Sequence, residues 1–372
     1  MYEHDNRTVM TLDAGGTNFV FSAIRGCEEV VDSVCLPAIS DDIERCLGVL
    51  KQGFWMVKNQ LQEQPVAISF AFPGPADYQN GVIGNLPNFP AFRGGVALGP
   101  FLEMEFEIPV FINNDGNLFA YGEAMVGVLP YVNTQLESAG STKRYRNLLG
   151  ITLGTGFGAG VVIDGTLLTG DNGCGGDVWL MRNKKYSDLI AEESVSIRAV
   201  RRVYGELTGE DTSALSPKDI FDISEGVRQG DRAAAVQSFD QLGEMAGAAI
   251  VGALDIIDGM VVIGGGVSGA AKYILPGILR EMRSTLSTFT GDRFPCLQMD
   301  VCDLGNADDL RRFLRDTISW VQLPSSDRKV PYDTGKRIGV ALSQLGTNKA
   351  IALGAYTFAL QQIDKNPLAE LI

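Results

Sequence analysis

VMTLDAGGTNFVFSAI, residues Val9–Ile24, reads as a strand, a glycine turn and a second strand, with β-branched and aromatic residues on both sides of Gly15-Gly16. About 140 residues later, LLGITLGTGFGAGVVIDG (Leu148–Gly165) repeats the theme: apolar strand, glycine-rich turn, apolar strand, closing glycine. The earlier passage closes the same way, at Gly26. A supersecondary unit repeated at domain spacing points to two related halves rather than one sheet. The competing reading is chance likeness between two glycine-rich hairpins, because the period is far longer than those of the usual repeat arrays.

Outward from these hairpins, short apolar runs alternate with amphipathic helices. After Ser40, expected as an N-cap, Ile43, Leu47, Leu50, Phe54, Val57 and Leu61 follow helical spacing. Pro65–Phe72 and Pro109–Asn114 are nearly unbroken apolar runs, as in strands buried on both faces. Pro73-Gly74-Pro75 and Asn85-Leu86-Pro87-Asn88 are loop chemistry. Residues 130–147 turn polar and suggest a domain edge. Asp231 opens a long Ala- and Gly-rich helix with Val236, Phe239, Leu242, Ala246, Ala249, Ala253 and Ile257 on one face, suited to close packing, and Asp258-Gly259 ends it. Gly259–Gly266 is a strand entering a glycine loop, followed by a helix over about Ala270–Leu286. Cys302–Lys336 is charged and reads as an irregular surface insert, and Ala350–Gln361 as a packed helix. The alternation predicts an α/β architecture.

The chain has 372 residues, 45% hydrophobic and 20% charged, enough for two domains. Its one histidine, His4, lies in a polar N-terminal stretch. This excludes catalytic arrangements built on an internal imidazole and zinc sites built on paired histidines. A general base must then be a carboxylate, lysine, tyrosine or cysteine. The net charge of −14 argues against nucleic acid or an anionic membrane as partner. No apolar run reaches the length of a membrane span and MYEHDNR is not a signal sequence, so a cytoplasmic protein is expected. Six irregularly spaced cysteines without C-x-x-C read as reduced core thiols.

Four stretches could carry chemistry. In Asp13-Ala14-Gly15-Gly16-Thr17-Asn18, two glycines let successive amides converge on an anion, and a strand-ending Asp could hold a hydrated Mg²⁺; an ordinary hairpin turn explains the same residues equally well. Gly154-Thr155-Gly156-Phe157-Gly158 is the turn of the second hairpin and gains meaning by pairing with the first, since two such loops could hold one polyphosphate. Gly264-Gly265-Gly266-Val267-Ser268-Gly269 formally satisfies G-x-G-x-x-G, but the acid at a comparable strand end, Asp300, is too distant for a dinucleotide fold. A nucleotide packed on this loop and the following helix fits better. Asn113-Asn114-Asp115-Gly116-Asn117 follows a buried strand, where α/β sheets bind ligands. Asp115 could be a base or simply cap a helix beginning near Leu118.

Asp13–Asn18, Asn113–Asn117, Gly154–Gly158 and Val262–Ser268 resemble, in order and spacing, the motifs of the ROK family of bacterial sugar kinases, of the actin/hexokinase/Hsp70 superfamily. Pro73–Asp77, NLPNF (Asn85–Phe89) and Leu353–Leu360 are similar to family patterns as well. The resemblance implies a two-domain actin-like (ribonuclease H-like) α/β fold with an interdomain cleft: a smaller domain of residues 1–127 with a final helix at 350–372, and a larger domain of 128–349 with its insert at 302–336. It implies ATP and Mg²⁺ held by Asp13, Gly15, Gly16, Thr17, Asn18, Gly154, Thr155 and Gly156, with the adenosine near Gly264, Gly265 and Gly266. Asp115 would be the base for a sugar hydroxyl, with Asn114, Gly74, Asp177 and Glu192 contacting the sugar; Glu192 stands four residues before Ser196, as in the family's E-x-x-x-S. The resemblance also implies a homodimer.

The family's G-E-x-G-H stretch departs here to Gly175-Gly176-Asp177-Val178-Trp179-Leu180: Asp177 replaces the Glu, the His is missing, and only Cys174 remains of any zinc set. No structural zinc is expected, and sugar identity becomes the open question. Trp179 could contact a sugar, although a core position is the commoner fate of a tryptophan. The implied activity is ATP-dependent phosphorylation of a hexose, foremost glucose. The alternatives are an N-acetylhexosamine and a non-catalytic, sugar-binding or regulatory protein. A repressor would carry an N-terminal DNA-binding domain, for which the first motif at Asp13 leaves no room.

Overall fold

The computed structural model describes residues 2–84, 86 and 90–365. The NLPNF stretch, apart from Leu86, and the expected helix beyond residue 365 lie outside the described residues. The chain forms two compact units: Met1–Gly127 with Gly160–Gly176 and Leu345–Ile372, and Val128–Ala159 with Asp177–Gln344.

In the first unit, β1 (Val9–Ala14) and β2 (Asn18–Arg25) pair antiparallel across the glycine turn, Asp13 opposite Val20 and Ala14 opposite Phe19. Two short strands, β3 (Glu28–Glu29) and β4 (Val34–Pro37), add to β2. The α1 helix (Ile43–Lys58) begins where the apolar periodicity begins, but its cap is Asp42, not Ser40: the Asp42 carboxylate accepts from the Arg45 amide. Cys46, Leu50, Phe54 and Val57 face the sheet, and Phe54 meets Phe21 edge-on at 5.0 Å. That approach needs Gly53, because a Cβ there would lie 2.2 Å from the Phe21 ring. β5 (Ala67–Ala71) runs parallel to β1. A small antiparallel sheet follows, of β6 (Ala76–Asp77), β7 (Val82–Ile83) and β8 (Val96–Ala97), and then α2 (Leu98–Phe106). β9 (Val110–Asn113) is parallel to β5, and α3 (Asp115–Met125) leaves its end. The last helix, Thr347–Lys365, begins before the expected Ala350 and crosses α3 backbone to backbone. A Cβ on Gly354 would sit 1.9 Å from the Leu118 carbonyl oxygen, and one on Gly122 2.0 Å from that of Ala350.

In the second unit, the polar stretch after residue 130 is largely helical, α4 (Val128–Ser138). β10 (Leu148–Leu153), β11 (Phe157–Ile163) and β12 (Thr166–Leu167) form the second glycine hairpin and its extension. Helices α5 (Ile197–Thr208), α6 (Pro217–Glu225) and α7 (Arg232–Ile257) follow, the last capped by Asp231 and ended by Asp258 as anticipated. Next come β13 (Met260–Gly264) and α8 (Ala271–Met282), and α7 meets α8 closely. A Cβ on Gly243 would lie 2.1 Å from the Ile274 carbonyl oxygen. α8 is shorter than expected, because Thr285–Ser287 leaves the helix as β14 and pairs with β15 (Arg293–Pro295).

The expected irregular insert is mostly regular. β16 (Asp300–Asp303) is a strand of the main sheet, and α9 (Ala307–Leu314) buries Phe313 in stacking contact with Tyr145, centroids 5.3 Å apart. Its charges line the outer face of a two-turn helix, which hid the amphipathic pattern. A ribbon follows, β17 (Ile318–Gln322) with β18 (Lys329–Asp333), before β19 (Arg337–Leu342).

The two main sheets share a strand order. The first runs β3-β2-β1-β5-β9 and the second β12-β11-β10-β13-β19-β16. In each, the hairpin's first strand takes a parallel partner from the next βα passage (β1 with β5, β10 with β13), and a further parallel strand beyond it. Likeness that extends past the turns into the topology is that of related halves, not of two look-alike hairpins. Of the six unpaired cysteines, Cys27, Cys46 and Cys302 are buried, but Cys35 and Cys174 are exposed, against the expectation of core thiols throughout. No described helix is long and apolar enough to cross a membrane.

Gly354→Val should destabilise the first unit by about 1–3 kcal/mol, the usual cost of overpacking, because a backbone carbonyl cannot yield as a side chain can. Thermal unfolding of the variant checks this; an unchanged Tm contradicts the assigned crossing.

Candidate functional site

In the first unit the candidate residues gather where β1, β5 and β9, parallel neighbours, reach their carboxyl ends. Asp13 closes β1, and its Oδ2 accepts a hydrogen bond from Asn348 Nδ2 at 3.2 Å. Partial desolvation raises the Asp13 pKa above the ordinary carboxylate value. In the turn that follows, a Cβ on Gly15 would fall 2.8 Å from the Asn18 carbonyl oxygen, whereas Gly16 faces open space. Neither glycine has a positive φ, so close approach, not a left-handed backbone, is what requires Gly15. The amides of Gly15, Gly16 and Thr17 donate no hydrogen bond among the described residues, so they remain available to an anion.

The end of β9 is more tightly organised. Buried Asn113 accepts through Oδ1 from the Asn114 amide at 2.8 Å and from Asn117 Nδ2 at 3.0 Å. Asn114, not Asp115, caps α3: its Oδ1 accepts from the Gly116 amide at 2.8 Å. The helix therefore begins at Asp115 instead of near Leu118. Because the cap fixes Asn114 Oδ1 inward, its Nδ2 is left as a donor. Asp115 is exposed in the first turn, with Oδ1 accepting from the same Gly116 amide at 2.8 Å. Gly74 lies in the loop after β5, where Tyr78 donates to the Phe72 carbonyl at 2.9 Å and would stand 3.0 Å from a Cβ on residue 74.

In the second unit, two glycine loops adjoin at the carboxyl ends of β10 and β13, with Thr152 opposite Gly264. Gly265 holds φ +92°, and a Cβ there would lie 2.3 Å from the Leu153 carbonyl oxygen. Ser268 closes the loop, its Oγ donating to the Gly265 carbonyl at 2.6 Å. Gly154, Thr155 and Gly156 form the neighbouring turn, and the Gly154 carbonyl accepts from the Ile197 amide at the start of α5.

Glu192, expected as a sugar contact, is already engaged. Its Oε2 accepts from the Phe157 amide at 3.0 Å, and its Oε1 pairs with Arg198 at 3.1 Å. A Cβ on Gly156 would collide with this carboxylate at 2.8 Å. Ser196, of the same E-x-x-x-S, buries an Oγ that finds no partner among the described residues. Asp177 is exposed, with its pKa raised by partial desolvation and eased back by a hydrogen bond with Trp179. Trp179 is itself 36% exposed rather than a core residue. The Ala191 amide donates to the Met181 carbonyl at 2.7 Å, tying the segment after Asp177 to the turn that carries Glu192.

Sequence reading missed Asn348 and Arg198, and gave Asn113 no role of its own within the Asn113–Asn117 stretch. The bracing role of Asn113 was signalled by a polar side chain ending an apolar run. Asn348 and Arg198 carry no local signal, since each meets its partner only through the fold.

Glu192→Ala should remove the acceptor of the Phe157 amide, speeding its hydrogen exchange about 10–100-fold, as expected for a charge-assisted bond worth about 1.5–3 kcal/mol. Glu192→Gln should retain most of the protection. Equal exchange in all three proteins contradicts the contact.

The ROK family model matches residues 9–303 of this chain. The crystal structure of a glucokinase from Parabacteroides distasonis is 61% identical, covers 97% of this chain and 99% of its own, and superposes with a TM-score of 0.89. A glucokinase from Thermotoga maritima is 33% identical over 235 residues, 59% of this chain and 69% of that protein. An N-acetyl-D-glucosamine kinase from Photobacterium profundum is 26% identical over 274 residues, 69% of this chain and 83% of its own. With the glycine loops and the Asn-Asp pair at the end of β9 inside the matched span, the chain belongs to the ROK family.

Proposed function

We propose that this ROK-family sugar kinase transfers the γ-phosphoryl group of ATP to glucose, giving glucose 6-phosphate, with Asp115 as the base. The observation that carries this reading is the placement of Asp115: exposed at the carboxyl end of β9, with Asn114 as the cap and only its own Oδ1 engaged by the Gly116 amide. With no internal histidine, a carboxylate at this position is the group best suited to accept a hydroxyl proton. The P. distasonis glucokinase, far more similar to this chain than the N-acetylglucosamine kinase, supports glucose as the acceptor.

Asp115 takes the proton of the attacking hydroxyl as that oxygen bonds to the γ-phosphorus and the bond to the β-phosphate oxygen breaks. The uncommitted amides of Gly15, Gly16 and Thr17 in the first unit, and those of Thr155 and Gly156 in the second, would donate to phosphate oxygens, while the Gly154 amide closes its own turn on the Gly156 carbonyl; positioning and electrostatics then supply most of the rate. Asn18 stands beside the first loop, and the nucleoside packs on Gly264, Gly265 and Gly266. Asn114 Nδ2 donates to the sugar. Gly74, Asp177 and Glu192 complete its contacts; Glu192 can accept a further hydroxyl, since a carboxylate offers about four lone-pair sites. A Mg²⁺ ion fits at Asp13, a partly desolvated carboxylate with one oxygen outside the Asn348 bond, and would there neutralise phosphate charge. Six unpaired cysteines suit a reducing, cytoplasmic setting, and we take the assembly to be a homodimer.

A coupled assay with ATP–Mg²⁺ across glucose, mannose, fructose, N-acetylglucosamine and N-acetylmannosamine tests the substrate. Glucose should lead in kcat/KM by at least about tenfold, or about 1.4 kcal/mol of transition-state binding. Preference for an N-acetylhexosamine would overturn glucose, and inactivity on all would favour a binding protein. Asp115→Asn should lower kcat roughly 10²–10⁴-fold with Tm nearly unchanged, because the side chain is exposed; activity within a few-fold of the parent would remove Asp115 from the role.

A further inference from the structure

Glu192 stands in a segment with little regular structure to hold it. Residues 181–190 carry one isolated bridge, Arg182 with Ile190, and Glu192 itself sits in the single turn Ala191–Ser194. So short a turn is not stable by itself. Among residues 181–190 only Asn183 is buried, at 2% exposure. Its side chain is where the segment is knitted together.

Asn183 Oδ1 accepts from the amides of Lys185 at 3.0 Å and Tyr186 at 3.1 Å. Its Nδ2 donates to the Ile190 carbonyl at 3.2 Å and to Ser194 Oγ at 2.8 Å. Backbone amides only donate and a carbonyl only accepts, so the two ends of the side chain cannot be exchanged. The two halves differ in reach. The acceptor closes the local turn 183–186, an arrangement Asn makes readily. The donor crosses to the residue before the turn Ala191–Ser194 and to the last residue of it, so one amide group clamps both ends of the turn that carries Glu192. The neighbouring lysines do not share this task. Lys184 pairs with Glu244 on α7 and Glu281 on α8, and Lys185 reaches Gln241 on α7. Those exposed contacts tether the loop, and none of them touches residues 190–194.

The Glu192 carboxylate has its own demands. Oε2 takes the Phe157 amide at 3.0 Å and Oε1 takes Arg198 at 3.1 Å, and such bonds weaken steeply once distance or angle is lost. A turn free to drift would release both. We propose that Asn183 is a positioning residue for sugar binding: through the turn it clamps, it fixes the Glu192 carboxylate so that Oε2 keeps the Phe157 amide and Oε1 is held for a sugar hydroxyl to share with Arg198. Asn183 is buried and acts through Glu192, not on a ligand. The proposal rests on Glu192 as a sugar contact, whereas the hold of Asn183 on the turn does not.

Steady-state kinetics at saturating ATP–Mg²⁺, with hydrogen exchange of the unliganded chain, test it. Asn183→Ala should raise KM for the sugar that leads the panel above roughly 10–100-fold, the scale of a lost charge-assisted bond. It should leave kcat within about threefold, since the contact is made in ground and transition state alike. The Phe157 amide should exchange faster, as in Glu192→Ala. In the Glu192→Ala background the same substitution should change KM by less than about threefold, because a residue acting through Glu192 then has nothing left to place. Ser194→Ala, which removes one bond and little volume, should show the same pattern on a smaller scale, and it decides the matter where Asn183→Ala folds poorly. A role confined to stability would lower Tm and kcat, by depleting folded enzyme, with KM unmoved; that result overturns the proposal, as does an unchanged Phe157 exchange rate or additivity with Glu192→Ala. If Glu192→Ala raises KM and Asn183→Ala does not, the proposal alone fails. If Glu192→Ala itself leaves KM unmoved, the sugar reading of Glu192 fails and the proposal with it.

Discussion

At residue 265 there is no room for a carbon atom: the Leu153 carbonyl stands 2.3 Å from where a Cβ would begin. That exclusion brings the end of β13 onto the end of β10 and sets two glycine loops side by side. The same kind of contact recurs where Gly15 faces the Asn18 carbonyl and where the last helix crosses α3 at Gly122 and Gly354. In each case backbone packs on backbone, and a side chain would push the elements apart by more than a core tolerates. The glycines are therefore costly in chain entropy yet required. At the first loop what remains uncommitted are the peptide amides of Gly15, Gly16 and Thr17, a binding surface that does not depend on a long flexible cation.

This choice suits an acidic chain. With 45 acidic residues against 31 basic ones, a triphosphate meets an unfavourable mean field, and local dipoles must reverse it. Glu192 sharpens the point. A carboxylate that braces the Phe157 amide puts negative charge beside a loop suited to phosphate, and Arg198 balances it. Under the proposed function one side chain would serve both the sugar and this loop, so occupancy of the first would bear on the geometry of the second. As the proposed base, Asp115 would face the opposite requirement, to stay accessible, and it is exposed beside the cap that Asn114 supplies.

Much of the architecture was legible in the chain. The apolar runs at Ala67–Ala71 and Val110–Asn113 became central strands, and the glycine hairpins stood where their composition put them. Asp231 capped the long helix because an Asp before a periodic run has few better uses. Errors came where two residues compete for one local role. Ser40 and Asp42 both suit a cap, as do Asn114 and Asp115, and only backbone direction decides between them. The charged 302–336 stretch misled for another reason: a short helix covered by ion pairs and an exposed ribbon both look irregular in composition.

Residue type and periodicity alone determined the α/β class, the two halves, the want of an imidazole and the Asp at a strand end, because these follow from local chemistry and chain order. Tertiary structure decided that Asn348 reaches Asp13, that Glu192 braces Phe157, and that Trp179 lies at the surface. Those contacts join residues from 35 to 335 positions apart or depend on what covers a side chain, and neither leaves a trace in local spacing.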